Sequence, residues 1–276
     1  MIATYHRTAR YHGLPLVQMQ NGQQLLEAGG PFAEAGRRFI DWALEDLAAY
    51  GQQVYDAEQQ VFRSMLTDGT PLRWQEVSDG DGGYYLAHQD GLMPIGPNGQ
   101  IFWGYALAYR LSGDPVHWRM SREIAKVLGF GDLGAPDGRG RALAGADALD
   151  ATLRRRTRQD DWRPLHHSLY ALLELHEATG DPALLRTAAR VGDALLERQV
   201  DTGLFPRPRR EHARTGDEVP LAILHLAAAI RGDRDRLPRP MADNSFFHVR
   251  YDGPLEPHQQ KPGDRRTYDH LVWYGR

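Results

Sequence analysis

The chain has 276 residues, 41% of them hydrophobic, and a formal net charge of −3. That is enough apolar material for a sizeable core, and the charge balance gives no ground for nucleic acid or an anionic membrane as partner. Cysteine is absent, which excludes disulfides and thiolate metal ligands, and no stretch approaches the roughly 18 apolar residues of a membrane span.

The N-terminal MIATYHRTARYHG is basic with no apolar run of leader length behind it, so the expected compartment is the cytoplasm. His6, Arg10 and His12 form a metal-capable trio there without a carboxylate at matching spacing. Next, FAEAGRRFIDWALEDLAAYG (32–51) places Phe39, Trp42, Ala43 and Leu47 at helical spacing. A helix ending YALAYRLSGDP (105–115) follows, and SLYALLELHEATGDP (168–182) repeats it. With Gly113 on Gly180, a shift of 67 residues, Ser112 meets Thr179, Asp114 meets Asp181, Pro115 meets Pro182 and Leu128 meets Leu195.

Each copy carries the same local physics. Glycine takes the left-handed conformation that stops a helix, then Asp caps a new helix whose first residue is Pro, where the missing N–H costs nothing. PLAILHLAAAIRGD (220–233) is a partial third copy. Hairpins that cannot bury their own apolar faces must stack on one another. The expected fold is therefore mainly all-α: a single domain over 1–276, built as an (α/α) toroid or partial toroid. The predicted helices are too few to close a ring, so the ring is open or a second copy completes it. VFRSML (61–66), GYYLAH (83–88) and FFHVRY (246–251) are expected to form small strands or hairpins on one rim.

Chemistry is sought in the long connections, because loops of such length in a domain usually carry function. PRPRREHARTGDE (206–218) supplies Arg207, Arg209, Arg210, His212 and Arg214, with Asp217 as expected cap of the next helix. Either the arginines form a solvated face, or they grip carboxylates in bidentate fashion, as a polyuronate would require. On the second reading Arg214 or Arg210 holds the substrate carboxylate, His212 or a neighbouring arginine removes a proton, and Arg207 adds to binding. In GDGGYYLAHQDG (80–91), Tyr84, Tyr85 and His88 are candidate sugar contacts, with hairpin packing as the alternative. Trp103 is either a stacking platform or core. His166 and His167 precede a buried helix and diverge by about 100°, so only one is expected to face a given cleft. His167 is a candidate for substrate binding, as base or in a metal site, against a plain packing role. His176 and His225, inside apolar helices, read as structural. No HExxH, GxSxG or P-loop pattern occurs.

The stretches FIDWALEDLAAYGQQVYD, FRSMLTDGTPL, WGYALAYRLSGDPVHWRMSREIAKVLGFGDLG, HHSLYALLELHEATGDPALLRTAARVGDALLERQ, GLFPR, DEVPLAILHLAAAIRG and RTYDHL, from about residue 30 to the end, resemble the bacterial pectate lyases of polysaccharide lyase family two. The resemblance implies a toroid, β-elimination on polygalacturonate, a divalent metal such as Mn or Ca, and an arginine as base. It falls mainly on the C-terminal half of longer members, and no metal ligand of the family is carried to a residue here. Two other activities remain open. One is a further sugar-active toroid enzyme, either an unsaturated-uronide hydrolase using Asp79, Asp81 and Asp90 or an epimerase using His167 with His212. The other is a non-catalytic protein, either one that binds oligouronides or a degenerate lyase-like remnant.

Overall fold

A computed structural model describes residues 13–63, 94–158, 165–206, 218–242, 249–250 and 267–268. The chain divides into two units, Met1–Ala242 and Asp243–Arg276. In the second unit, Val249–Arg250 (β5) pairs antiparallel with Thr267–Tyr268 (β6). The first unit is mostly helical.

Its first hairpin joins α1 (Gly13–Ala28) to α2 (Ala33–Ala49) through Gly29 and Gly30, both at positive φ, and a 3-10 turn with Pro31. The two helices touch backbone to backbone. A Cβ on Gly22 would stand 2.7 Å from the Gly36 carbonyl oxygen, and one on Gly36 would stand 2.7 Å from the Gly22 carbonyl oxygen. Only glycine permits that approach. Helix α2 runs into a π-helical turn, Tyr50–Val54, and then the hairpin of β1 (Tyr55–Asp56) and β2 (Val61–Phe62). This matches the expected strand at its first two residues; GYYLAH lies outside the described residues.

The 67-residue repeat is visible atom by atom. Helices α3 (Gly99–Ser112) and α4 (Pro115–Val127) turn at Gly113, φ 67°, and helices α6 (Leu165–Thr179) and α7 (Pro182–Leu196) turn at Gly180, φ 69°. The Asp114 carboxylate accepts from the Val116 N–H at 2.8 Å, and that of Asp181 from the Ala183 N–H at 2.9 Å. Each such cap contributes about 1 kcal/mol. Even the residue before each glycine behaves alike: Ser112 donates to the Ala108 carbonyl and Thr179 to the Leu175 carbonyl, both at 2.7 Å. Between the two hairpins lie β3 (Gly131–Asp132), paired with β4 (Ala142–Leu143), and α5 (Ala146–Arg158), which packs on α7. The partial third copy is α8 (Val219–Arg231), ending at Gly232 in the left-handed region.

These helices form two layers. Helices α1, α3, α6 and α8 lie side by side in that order, and α2, α4 and α7 each pack on the preceding partner. In the first layer α3 and α6 are buried almost all round, as Gly99 through Ala108 and Leu165 through Leu175 show with few breaks, whereas α8 leaves Leu221, Leu224 and Ile230 exposed. The second is amphipathic: α4 buries His117, Trp118, Met120, Ser121, Ile124 and Ala125 along one face. Neighbours in the first layer run parallel and in repeat register. Trp103 stacks on Tyr170, its counterpart 67 residues on, with ring centroids 4.5 Å apart. Farther along, Arg110 donates to Glu174 and Glu177, and Arg234 donates to the same two carboxylates at 2.9 and 2.6 Å.

Candidate functional site

Parallel register brings the starts of α6 and α8 together. His166 and His167 occupy the first turn of α6, and Glu218 stands at the N-cap position of α8, held there by Pro220 just inside the helix. Glu218 uses its carboxylate elsewhere than for capping. His166 donates through Nε2 to Glu218 Oε2 at 2.6 Å, and His167 Nε2 lies 3.6 Å from the same oxygen. The ligand atoms of all three residues fall within 4.8 Å of one another. Adjacent histidines therefore do reach one group, because Glu218 enters from the neighbouring helix between their diverging directions. This corrects the expectation that only one could face a given cleft.

The second histidine is the unusual member. His167 is 6% exposed, and at 3.6 Å the Glu218 oxygen lies beyond hydrogen-bond range, so both ring nitrogens lack a partner. An unsatisfied buried polar group costs about 1–3 kcal/mol. Burial, reinforced by His166, pushes the His167 pKa down to about 4, which keeps the imidazole neutral near pH 7 with a lone pair available. Burial pushes the Glu218 carboxyl up, but the His166 hydrogen bond and the proximity of His167 outweigh it and hold the carboxyl below its usual range. The neutral His167 imidazole, the ionised carboxylate and the His166 imidazole, once its Nε2 gives up the proton it shares with Glu218, form a donor set for a divalent cation. Donors bound to one ion at about 2.1 Å lie at most about 4.2 Å apart, so a small inward movement would be needed.

Trp103 and Tyr170 wall this cluster. The Trp103 ring lies 5.6 Å from His167 and stacks on Tyr170, which makes a T-shaped contact with His225 at 5.6 Å. Trp103 is 1% exposed, so the structure places it in the core and not on a sugar-facing surface; its order in α3 turns it toward α6. Arg207, Arg210, His212, Arg214, Tyr84, Tyr85 and His88 lie outside the described residues, as do Asp79, Asp81, Asp90, Asp217 and the N-terminal His6, Arg10 and His12. His176 binds the Asp181 carbonyl oxygen through Nδ1 at 2.8 Å, a contact at the repeat turn. Glu218 as the histidines' partner was missed. Its signal was present in Glu-Val-Pro, where Pro at the second helical position marks a helix start in register with the His-His start.

Among the described residues, then, the chain is a helical-repeat protein with a buried His–His–Glu cluster at the starts of two adjacent first-layer helices. Residues 1–250 match the family described as periplasmic pectate lyase, and the chain belongs to that family. The match includes the first 30 residues and stops before RTYDHL, so it is displaced toward the N-terminus from the stretches that carried the resemblance. The family's description as periplasmic overturns the expectation of a cytoplasmic protein. That expectation rested on the thirteen residues Met1–Gly13, and the presence or absence of an apolar run there says nothing of the compartment in which the folded domain works.

Proposed function

We propose that the protein is a lyase that cleaves pectate or a related polyuronate by metal-assisted β-elimination, with the divalent cation held by His166, His167 and Glu218. The observation that carries this is the buried, unpartnered His167 beside an ionised carboxylate, in a chain of the pectate lyase family. A bound divalent cation would neutralise the uronate carboxylate and make the proton on the adjacent carbon easier to remove. Two imidazole ligands favour a borderline ion such as Mn over Ca, which prefers an all-oxygen shell.

The protein's own residues supply the rest. Before a cation binds, Glu218 orients His166 through its hydrogen bond, and the Trp103–Tyr170 stack fixes the ring of His167. Arg214 and Arg210 stand four and eight positions before Glu218 in sequence, which supports them as the groups that hold the substrate carboxylate. His212 or a neighbouring arginine takes the proton next to the carboxylate. The freed electron pair forms the double bond to the next ring carbon, the bond from that carbon to the glycosidic oxygen breaks, and the leaving oxygen takes up a proton. The two-layer arrangement, with each hairpin's second helix outside, supports a partial (α/α) toroid.

The test is ultraviolet absorbance of unsaturated product from polygalacturonate, with and without Mn²⁺. A metal-dependent rise that is lost in Arg214→Ala is expected. A flat trace from folded, metal-loaded protein would remove elimination and leave oligouronide binding without turnover.

A further inference from the structure

The opposite ends of the same first-layer helices enclose a second feature. A cavity of about 590 Å³ lies among the C-terminal parts of α1, α3, α6 and α8, within the size range of small-molecule sites. It is separated from the His–His–Glu cluster along α6 by the seven residues from His167 to Glu174, about 10 Å. Its mouth carries Glu177, whose side chain is half exposed.

Two of its lining side chains are buried and incompletely satisfied. Gln20, 3% exposed, accepts from the Ala242 N–H through Oε1, while its amide nitrogen has no partner. His225, 1% exposed, has a partner at neither ring nitrogen. A neutral imidazole offers one donor and one acceptor, and the Gln20 amide nitrogen offers two donors. A hydroxyl group, which both donates and accepts, complements that set. Burial, aided by Arg234, keeps His225 in its neutral form near pH 7.

The charges of the lining exclude an anion as the preferred ligand. Arg110 and Arg234 are committed to Glu174 and Glu177, and Arg239 to Glu27, so each guanidinium is already ion-paired. Asp235 remains as an extra negative charge on the rim. Leu237 and Pro238 supply apolar wall for the carbon face of a ring. From this combination of size, unsatisfied donors and closed ion pairs we infer that the cavity binds a neutral polyhydroxylated ring, a pyranose or a cyclitol. This site is separate from the polyuronate site and does not depend on that assignment.

Calorimetric titration of the full chain with D-galactose, with myo-inositol and with D-galacturonate tests it. At least one of the neutral rings binds, with a dissociation constant on the order of 1 mM, and galacturonate displaces it at least ~10-fold more weakly in competition. Ala229→Phe, which fills the cavity from α8, abolishes the neutral signal while the lyase assay is unchanged. His225→Phe keeps the ring shape and removes both nitrogens, and it lowers affinity at least ~10-fold if the filling variant fails to fold. The inference is overturned if folded wild-type protein binds neither neutral ring, if galacturonate displaces the bound neutral ring as readily as the ring itself does, or if folded His225→Phe binds as wild type. Loss of lyase activity in His167→Leu with neutral-ring binding intact separates this outcome from failure of the elimination reading.

Discussion

The two ends of the first-layer helices treat buried charge in opposite ways. At the C-terminal end, Glu174 is buried but both its oxygens accept from guanidinium groups, one from Arg110 and one from Arg234. At the N-terminal end, Glu218 satisfies His166 and leaves His167 with nothing. One cluster is closed, with each member's charge answered by a neighbour. The other retains unused hydrogen-bonding capacity at His167, beside a carboxylate that is only partly buried.

The comparison breaks most sharply at the closed end. Glu174→Leu leaves two largely buried guanidiniums with only the half-exposed Glu177 to share and is expected to cost about 3 kcal/mol in urea unfolding. A loss below about 1 kcal/mol would show the network to be ornamental. Acid titration probes both ends. His167 and His225 have folded pKa values near 4 against about 6.5 unfolded, so the unfolded chain binds protons first as pH falls. Stability is therefore full above pH 6.5 and is lost progressively toward pH 4, by about 3 kcal/mol for each fully shifted group. His167→Leu should flatten that slope by about half in unfolding experiments across this window.

The open end should respond with the opposite sign. His167→Leu removes an unsatisfied buried imidazole and is expected to raise stability by about 1–2 kcal/mol while eliminating metal-dependent turnover. A destabilised variant would mean that His167 is an ordinary packing residue. The smallest effect belongs to the repeat turns: Gly180→Ala forces a side chain into φ 69° and should cost about 1–2 kcal/mol, and Gly113→Ala the same. Unequal losses at the two glycines would show that the hairpins are not energetically equivalent.

What was legible in the sequence was the chemistry that acts over a few residues. Gly113 and Gly180, Asp114 and Asp181, and the prolines after them announce a stop and a start within a single turn, so the hairpins could be read directly. Helix α1 escaped because its turn, Gly29-Gly30-Pro31, lacks the capping Asp, and because Gln20 and Gln23 break the apolar pattern that Leu16, Val17 and Met19 begin on its buried side. The His–His–Glu cluster escaped for another reason. Glu218 is 52 residues from His166, and only the parallel alignment of α6 with α8 brings them together. Trp103 shows the limit from the other side: an aromatic residue at a helix start looks the same in sequence whether it faces a sugar or Tyr170.

The register of α3 against α6 has a further consequence. Because a residue faces its own counterpart 67 positions on, two identical hairpins side by side would set Arg110 against another arginine, or Glu177 against another glutamate. The opposite signs at this position act as a polarity mark between successive units, fixing which hairpin follows which. An array lengthened by copying either hairpin unchanged would meet like charge at that joint. The two copies therefore gain from staying different at this position.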